Sequence, residues 1–281
     1  MMRVIKTVHE MQAFSLAQRT RGKSIALVPT MGYLHDGHVS LLSEARKRGD
    51  LLVMSLFVNP MQFGPQEDLA KYPRDFARDS MIAESAGTDI IFYPEAQEMY
   101  PEPFKTSVSV SDLSDILCGK TRPGHFRGVT TVVAKLFNVI LPHTAVFGEK
   151  DFQQLVILRR MVKDLNMPVE IIGMPIVREP DGLAMSSRNT YLSVDDRRRA
   201  ISISKGLSNA LDAFKKGERD GKKLQEIVRF DIQSAGLRVD YVEVIDETTL
   251  QPVHELSHAA RIVVAAYAGN VRLIDNMALK K

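Results

Sequence analysis

Residues 24–42 read SIALVPTMGYLHDGHVSLL, which is an apolar run, a glycine-containing turn and the start of a helical pattern. The run at 24–30 is almost continuously apolar, which is typical of a strand buried inside a sheet. Asp36 and Gly37 open a stretch whose apolar residues recur at helical spacing. A buried strand followed by a turn and a helix is the repeating unit of doubly wound α/β proteins, so this stretch predicts that class of fold.

The same alternation continues along the chain. Four further apolar runs, flanked by Gly, Pro or Asp, predict strands over 51–58, 88–94, 144–150 and 169–177. Helical patterns lie near 38–48, 75–86, 129–140 and 151–165. This order predicts a parallel sheet with helices on both faces, in which ligands bind outside the carboxyl ends of the strands.

The pattern changes after residue 176. Ser193 is a candidate N-cap of a long helix over 193–217, and a second helix is expected over 221–235. Alternating stretches predict a small antiparallel sheet, with a Gly-Asn turn before the last strand, over 238–246, 261–269 and 271–276. We therefore expect a doubly wound domain over 1–176 and a smaller α+β domain over 177–281, which serves as a lid.

Composition narrows the class of protein. The 281 residues are 44% hydrophobic and 25% charged, as in ordinary soluble enzymes, and no apolar run is long enough to span a bilayer. The N-terminus lacks the pattern of a signal peptide, and a lone cysteine, Cys118, indicates the cytoplasm. A net charge of +3 gives no argument for nucleic-acid binding, because the basic runs at 195–200 and 221–224 fit solvated helix faces.

His35 and His38 flank the predicted start of the first quoted helix. Backbone N–H groups at a helix N-terminus form an anion site, and histidines beside it suit a polyphosphate whose charge grows as a bond breaks. A purely structural role stays open for either histidine. A zinc site is disfavoured because the sequence has neither a Cys pair nor an H-E-x-x-H pattern.

Two other segments carry cations suited to phosphate. In FGEKDFQQL, residues 147–155, Lys150 follows a predicted strand and Asp151 is a candidate helix cap. In VREPDGLAMSSRN, residues 177–189, two serines and Arg188 form a loop rich in hydrogen-bond donors. Taken singly, the segment 147–155 is also explained by an ordinary helix cap, and the segment 177–189 by a polar linker.

Neutral amides follow the second predicted strand. Asn59 and Gln62 can bind carboxylate, hydroxyl or amine groups without adding charge, although a rigid connecting loop explains them equally well. The stretch TRPGHFRGVTTVV, residues 121–133, is interpreted as a glycine-bounded loop before a helix. Arg122 and Arg127 are its candidates for contacting an anion or a partner subunit.

Taken together and in this order, five motifs resemble those of the pantoate–β-alanine ligases over essentially the whole chain. They are PTMGYLHDGH, SLFVNPMQF, RPGHFRGV, VFGEKDFQQL and VREPDGLAMSSRN. The resemblance implies a Rossmann-like fold of the His-x-Gly-His nucleotidyl-transferase type. The signature here is His-Asp-Gly-His, and a Ser-Ser-Arg loop stands where tRNA synthetases carry a lysine-bearing one.

The resemblance implies an ATP-dependent condensation of (R)-pantoate with β-alanine through a pantoyl adenylate, giving pantothenate, AMP and pyrophosphate. It implies that Mg²⁺ arrives with the nucleotide, held mostly by phosphate oxygens, with Asp79 as a candidate protein contact. It also implies a cytoplasmic homodimer that binds small molecules and neither nucleic acid nor membrane.

The resemblance also assigns site residues. The residues expected to stabilise the departing pyrophosphate are His35, His38, Lys150, Ser186, Ser187 and Arg188. Among them, His38 is expected to be the proton donor. ATP is expected to contact Met31, Gly32, Tyr33, Leu34, His35, Asp36, Gly37, His38, Gly148, Glu149, Lys150, Asp151, Val177, Met185, Ser186, Ser187 and Arg188. Substrate binding is assigned to Gln62, Gln154 and Asn59.

Three other functions stay open on the sequence. A nucleotidyltransferase acting on a phosphorylated substrate would use the same histidines, but we expect it to carry more basic residues than the amide-bearing loop offers. A nucleotide-sensing protein without turnover is disfavoured by the joint presence of His38, Lys150 and Arg188. A metal-dependent hydrolase would hold tightly bound zinc.

Overall fold

The structure, a computed structural model, describes residues 2–65 and 67–280. The chain forms two compact units, of which the first comprises Met1–Glu149 and Ile157–Pro175 and the second comprises Lys150–Val156 and Ile176–Lys281. Residues 150–156, predicted to belong to the first domain, thus group with the second unit. None of the helices in the described part of the chain has the length and apolar character needed to cross a membrane.

The first unit contains a parallel sheet. Its strands are β1 (Arg3–Ile5), β2 (Ile25–Thr30), β3 (Leu51–Leu56), β4 (Ile90–Phe92), β5 (Thr144–Gly148) and β6 (Glu170–Met174). The helices that alternate with them are α1 (Val8–Thr20), α2 (Asp36–Arg46), α3 (Phe76–Ser85), α4 (Ala96–Met99), α5 (Cys118–Thr121), α6 (His125–Ile140) and α7 (Phe152–Asp164). The first residues of α7 group with the second unit.

The strand order β1-β4-β3-β2-β5-β6 confirms the predicted doubly wound sheet. From β2 the chain adds β3 and β4 on one side and then returns to add β5 and β6 on the other. The order therefore reverses between β2 and β5, where Ala26 pairs with Thr144. Ligands bind at such a switch point, beyond the carboxyl ends of the two strands. Ile25–Val28 of β2 have no exposed surface, which explains the unbroken apolar run.

The structure differs from the predictions at several elements, among them the unpredicted four-residue helices α4 and α5. The strand β1 and the helix α1 are not predicted, because β1 has only three residues and α1 buries only Met11 and Ser15. The interpretation of 121–133 as a loop is wrong, since α6 begins at His125. Gly124, whose left-handed φ of 82° suits glycine, precedes the first helical residue and lets the helix begin there.

The second unit contains a three-stranded antiparallel sheet and two long helices. They are α8 (Val194–Lys215), α9 (Gly221–Ser234), β7 (Arg238–Asp246), β8 (Ala260–Ala268) and β9 (Val271–Leu279), with the sheet order β7-β8-β9. Ser193 is the predicted N-cap of α8, and its Oγ accepts the Asp196 N–H at 3.1 Å. Leu207, Val228 and Ile262 share one buried core between helices and sheet, as expected of the predicted α+β unit.

Candidate active site

The loop after β2 carries the first group of predicted site residues. Gly32 and Tyr33 both have left-handed backbones, with φ of 92° and 54°. Asp79 of α3 holds this loop, because Oδ2 accepts the Tyr33 N–H and Oδ1 accepts the Leu34 N–H, each at 2.7 Å. A Cβ at position 32 would lie only 2.9 Å from Leu56 Cδ1 and 3.0 Å from Asp79 Oδ2, so the close packing requires glycine.

Asp79 is the candidate Mg²⁺ contact, but its carboxylate is used within the protein. The side chain is 2% exposed, and each oxygen already accepts a hydrogen bond from a backbone N–H. Burial raises the pKa of Asp79, and the two amide donors act in the opposite direction. The contacts give Asp79 the task of fixing the loop that leads to the histidines.

His35 and His38 form a reciprocal cap at the start of α2. His35 Nδ1 accepts the Gly37 N–H at 3.1 Å, and His38 Nδ1 accepts the His35 N–H at 3.2 Å. The imidazoles take the places that Ser or Thr and Glu or Gln hold in a capping box. Because a backbone N–H only donates, Nδ1 is the acceptor in both neutral rings and Nε2 carries the proton. The two rings, with centroids 4.1 Å apart, thus each carry a distal N–H donor.

Asn59 and Gln62 lie together after β3. Gln62 ends the 3₁₀ turn Pro60–Gln62, and its Nε2 donates to Met31 Sδ at 3.2 Å. Asn59 Nδ2 donates to Gln62 Oε1 at 3.0 Å and to the Gly128 carbonyl at 3.1 Å. Its Oδ1 accepts Tyr100 Oη at 2.7 Å and the Met61 N–H at 3.3 Å. Both amide hydrogens and both acceptor sites of Asn59 are thus engaged by protein groups.

The motif RPGHFRGV supports this turn. His125 Nδ1 donates to the Gln62 carbonyl at 2.8 Å, and its Nε2 accepts from Arg122 Nη1 at 3.0 Å. Arg122 also binds both carboxylate oxygens of Glu67, at 2.8 and 2.6 Å. Arg122, predicted as a candidate for an anion or a partner subunit, therefore has a partner in its own chain. A Cβ at Gly128 would lie 2.3 Å from the Met61 carbonyl oxygen, so the turn approaches α6 closely.

A cavity of about 180 Å³ opens beside the loop that follows β2. Met31 and Gly32 line it after β2, Phe57 after β3 and Tyr93 after β4, while Asp79 lines it from α3. Phe57 and Tyr93 were not predicted as site residues, because they lie at the ends of the predicted strands 51–58 and 88–94 and were counted as strand residues. The cavity therefore lies at the carboxyl edge of the sheet, where the fold predicts ligand binding.

The remaining predicted residues lie mostly in the second unit. Lys150 and Asp151 belong to the 3₁₀ turn Glu149–Asp151 that follows Gly148, and Gln154 lies in the first turn of α7. Val177 and Met185 are brought together by a hairpin, in which the Met185 N–H donates to the Val177 carbonyl at 3.0 Å. Ser186 then caps the 3₁₀ helix Ser187–Tyr191, with its Oγ accepting the Arg188 N–H at 3.3 Å.

Glu179 holds the base of that hairpin and was missed by sequence reasoning. Its Oε1 accepts Asn189 Nδ2 at 2.7 Å, and its Oε2 accepts Arg197 Nη2 at 2.6 Å. Arg197 also binds Asp181 Oδ2 at 2.7 Å. These bonds tie the hairpin and the 3₁₀ helix to α8, so the serine-arginine loop has a fixed base.

The predicted site residues fall partly in each of the two units. The first contains Met31–His38, Asn59, Gln62, Gly148 and Glu149, and the second contains Lys150, Asp151, Gln154, Val177 and Met185–Arg188. Within residues 2–65 and 67–280, no three His, Cys, Asp or Glu side chains are grouped so that they could hold a metal ion.

Comparison with known proteins gives full-length matches. Residues 3–278 match the family model of pantoate-beta-alanine ligase. The pantothenate synthetase of Geobacter sulfurreducens is 54% identical over 279 residues, covering 99% of each chain. That of Thermotoga petrophila is 53% identical over 283 residues, covering 99% of this chain and 100% of the relative.

Solved structures match as well. Pantothenate synthetase from Thermus thermophilus has a TM-score of 0.94 at 42% identity, with 100% of both chains covered. Pantoate-beta-alanine ligase from Francisella tularensis, solved with beta-gamma ATP and beta-alanine, has a TM-score of 0.82 at 32% identity, covering 100% of this chain and 99% of that chain.

Proposed function

Since the chain belongs to the pantoate–β-alanine ligase family, it is an ATP-dependent ligase that joins pantoate to β-alanine, and we propose how its residues divide this work. A carboxylate does not react directly with an amine, because the leaving group would be oxide. The carboxylate of pantoate is therefore first converted to an acyl adenylate, and the amine then displaces AMP to give pantothenate.

In the first half-reaction a pantoate carboxylate oxygen attacks the α-phosphorus of ATP in line. The bond between the α-phosphorus and the oxygen that bridges the α- and β-phosphates breaks, and its electron pair leaves with pyrophosphate. No proton has to move, so the main task of the protein is to stabilise growing negative charge. This step requires hydrogen-bond donors and cations, and the predicted site residues include both kinds of group.

The paired cap of α2 is the observation that carries this assignment. His35 and His38 each have Nδ1 engaged by a backbone N–H, so that Nε2–H is the donor of the neutral ring. We assign to both histidines hydrogen bonds to phosphate oxygens at the helix N-terminus. His38 then stabilises charge as a hydrogen-bond donor, and proton donation is not needed for this half-reaction.

The other ATP contacts come from the backbone and from cations. We propose that ATP binds along Met31–His38, Gly148–Asp151, Val177 and Met185–Arg188. Lys150 and Arg188 offset the charge of the departing pyrophosphate, and the hydroxyls of Ser186 and Ser187 donate to its oxygens. The hairpin bond between Val177 and Met185 supports a shared role for these two residues.

The second half-reaction uses the amide side chains. The neutral amine of β-alanine attacks the acyl carbon, the bond to the adenylate oxygen breaks, and the surplus amine proton is released. Gln62 orients pantoate and β-alanine, and Gln154 holds pantoate. Asn59 acts on the substrates through Gln62, because its own donors and acceptors are engaged. We expect residues 177–281 to keep water from the adenylate as a lid.

We propose that Mg²⁺ enters with the nucleotide and offsets phosphate charge. Both oxygens of Asp79 accept backbone N–H groups, so the phosphate oxygens themselves are the ligands that fit best. We also propose that the enzyme is a cytoplasmic homodimer, as the family resemblance implies.

The test is isotope exchange of labelled pyrophosphate into ATP with Mg²⁺ and pantoate but without β-alanine. We expect exchange that requires pantoate and stops when EDTA removes Mg²⁺. Replacing pantoate with a phosphorylated acceptor tests the nucleotidyltransferase alternative and is expected to give no exchange. Binding of ATP without any pantoate-dependent exchange would contradict the adenylation mechanism.

A further inference from the structure

Two adjacent polar residues are buried in β9 at the far end of the second unit's sequence. Asp275 is 4% exposed and Asn276 is 3% exposed. Neither belongs to the motifs discussed above. A buried carboxylate or amide costs free energy unless its hydrogen bonds are satisfied, so the partners of these side chains show what they stabilise.

Asn276 contacts the segment that carries Lys150. Its Nδ2 donates to the Lys150 carbonyl oxygen at 3.1 Å, and its Oδ1 accepts Arg261 Nη1 at 2.6 Å. Arg261, itself buried, places its guanidinium 4.0 Å from the ring centroid of Phe152. The sheet thus fixes this segment at residue 150 by a hydrogen bond and at residue 152 by a cation–π contact.

Asp275 contacts the hairpin that precedes the serine-arginine loop. Its two oxygens accept Arg178 Nη1 and Nη2 at 2.7 and 2.9 Å, a bidentate pair. Arg178 Nη1 also donates to the Gly182 carbonyl at 3.0 Å, across the hairpin turn. This ion pair therefore fixes both arms of the hairpin that leads to Ser186.

We propose that Asp275 and Asn276 are positioning residues for the triphosphate of ATP. Asn276 fixes the backbone from which Lys150 extends, and Asp275, through Arg178, fixes the base of the Ser186–Arg188 loop. Asp275 and Asn276 are adjacent in β9, so a single strand holds both of the proposed phosphate-binding segments. Holding their backbones lowers the entropy lost when the flexible cations engage phosphate. The proposal rests on the role of Lys150 and Arg188 stated above.

The decisive variant is Asn276→Asp. It is nearly isosteric and keeps the oxygen that accepts from Arg261, but it replaces the donor facing the Lys150 carbonyl with an oxygen. We expect the KM for ATP in the exchange reaction to rise about tenfold, the scale of one lost hydrogen bond with added repulsion. The KM for pantoate is expected to stay unchanged, which general loosening of the fold would not produce.

The matched control is Asp240→Asn in β7. It breaks the ion pair of Asp240 with Arg272, 2.7 Å long, in the same sheet and by a similar exchange of amide and carboxylate. We expect the ATP KM of this variant to stay near the wild-type value. If Asn276→Asp fails to fold, Phe152→Leu removes the ring beneath Arg261 while keeping an apolar side chain, and it must raise the ATP KM severalfold.

A double-mutant cycle with Lys150→Ala shows whether Asn276 acts through the lysine. We expect Lys150→Ala to impair exchange and Asn276→Asp to add no further loss in that background. Full addition of the two losses, or a wild-type ATP KM for Asn276→Asp beside an impaired Lys150→Ala, would overturn the inference alone. Wild-type exchange in Lys150→Ala would overturn the proposed role of Lys150 together with the inference.

Discussion

His35 and His38 each use one ring nitrogen for structure, and we assign the other to chemistry. The Nδ1 atoms complete the cap of α2. A capping box built from Ser and Glu would satisfy the same backbone donors but would offer no distal N–H. Under this assignment the histidine pair combines helix capping, which its Nδ1 atoms perform, with the proposed anion binding at the same helix end.

Two substitutions at His38 separate hydrogen bonding from proton transfer. We expect His38→Ala to lower pyrophosphate exchange by about a hundredfold, the usual scale for losing one transition-state donor. Glutamine is a common residue at this capping position, and its amide also donates a hydrogen bond but no proton. We therefore expect His38→Gln to be clearly more active than His38→Ala.

Exchange rates and circular dichroism are the measurements for this pair. The exposed His258 supplies a control, since His258→Ala is expected to leave exchange unchanged. Equal losses in His38→Ala and His38→Gln would show that a proton is transferred, against the assignment made here.

At the residue scale, groups that lie near each other along the chain were predictable, whereas contacts between distant residues were not, and Asp79 was expected only as a candidate Mg²⁺ contact. The histidine pair, the 3₁₀ turn at Gln62 and the serine-arginine loop are each visible within a dozen residues. Asp79 meets Leu34 across 45 positions, and Asn276 meets Lys150 across 126. No local pattern encodes such contacts, because they form only when distant parts of the chain pack together.

At the scale of elements, the turn Pro60–Gln62 depends on α6 for its place. His125 and Arg122 bind the carbonyl of Gln62, at 2.8 and 3.4 Å, and Glu67 binds Arg122. Burial opposes ionisation of Glu67, but the hydrogen bonds and charge of Arg122 hold its pKa below the ordinary value. The ion pair that holds Arg122 against the turn therefore requires the ionised carboxylate of Glu67.

Glu67→Gln is expected to reveal this link through its pH dependence. A folded-state pKa below the unfolded value adds stability above the unfolded pKa, and this stability is lost as pH falls through the folded pKa. At pH 7 we expect the variant to be less stable by about 1 kcal/mol, a charged hydrogen bond discounted for partial exposure. The difference should shrink once the pH falls below about 4.3, the ordinary pKa of glutamate in an unfolded chain, and it should vanish when the pH is below the lowered pKa of folded Glu67.

Urea unfolding of both proteins at pH 7, 5 and 3.5 measures this difference. Asp164→Asn, which breaks an exposed ion pair with Arg160, serves as the control and is expected to change stability much less. A stability difference for Glu67→Gln that is the same at every pH would contradict the role given to the ion pair.

Long, well-buried helices and strands were easier to predict from the sequence than short or exposed ones. The long helices α8 and α9 and the buried strand β2 follow strong periodic or apolar patterns. Short elements such as β1, α4 and α5 have three or four residues and leave no periodic signal. The start of α6 was missed because glycines on both sides of His125 imitate a loop.

At the scale of the molecule, the alternation of strands and helices was enough to predict a doubly wound sheet and a separate antiparallel unit. The grouping of residues 150–156 with the second unit was not predictable, because their position in the sequence places them between β5 and β6. Contacts such as that of Asn276 with Lys150 decide this grouping. The consequence is that the lysine segment takes its backbone support from the antiparallel sheet.

The homodimer is the prediction at this scale. Size-exclusion chromatography with light scattering is expected to give twice the mass of one chain over a wide range of concentrations. Variants of the proposed site residues, such as His38→Ala, should elute as the wild type does, since the change is local. A mass equal to one chain at every concentration would refute the dimer.

The two sheets also differ in how far along the chain their partners lie. In the parallel sheet Ile25 pairs with Leu51 and Ala26 pairs with Thr144, whereas β8 and β9 pair across a tight turn, with Ala268 opposite Val271. Closing long loops slows the formation of distant contacts. In a refolding chain, β8 and β9 should therefore pair early and β2 and β5 should pair late. The switch point between β2 and β5 is then among the last parts of the enzyme to form.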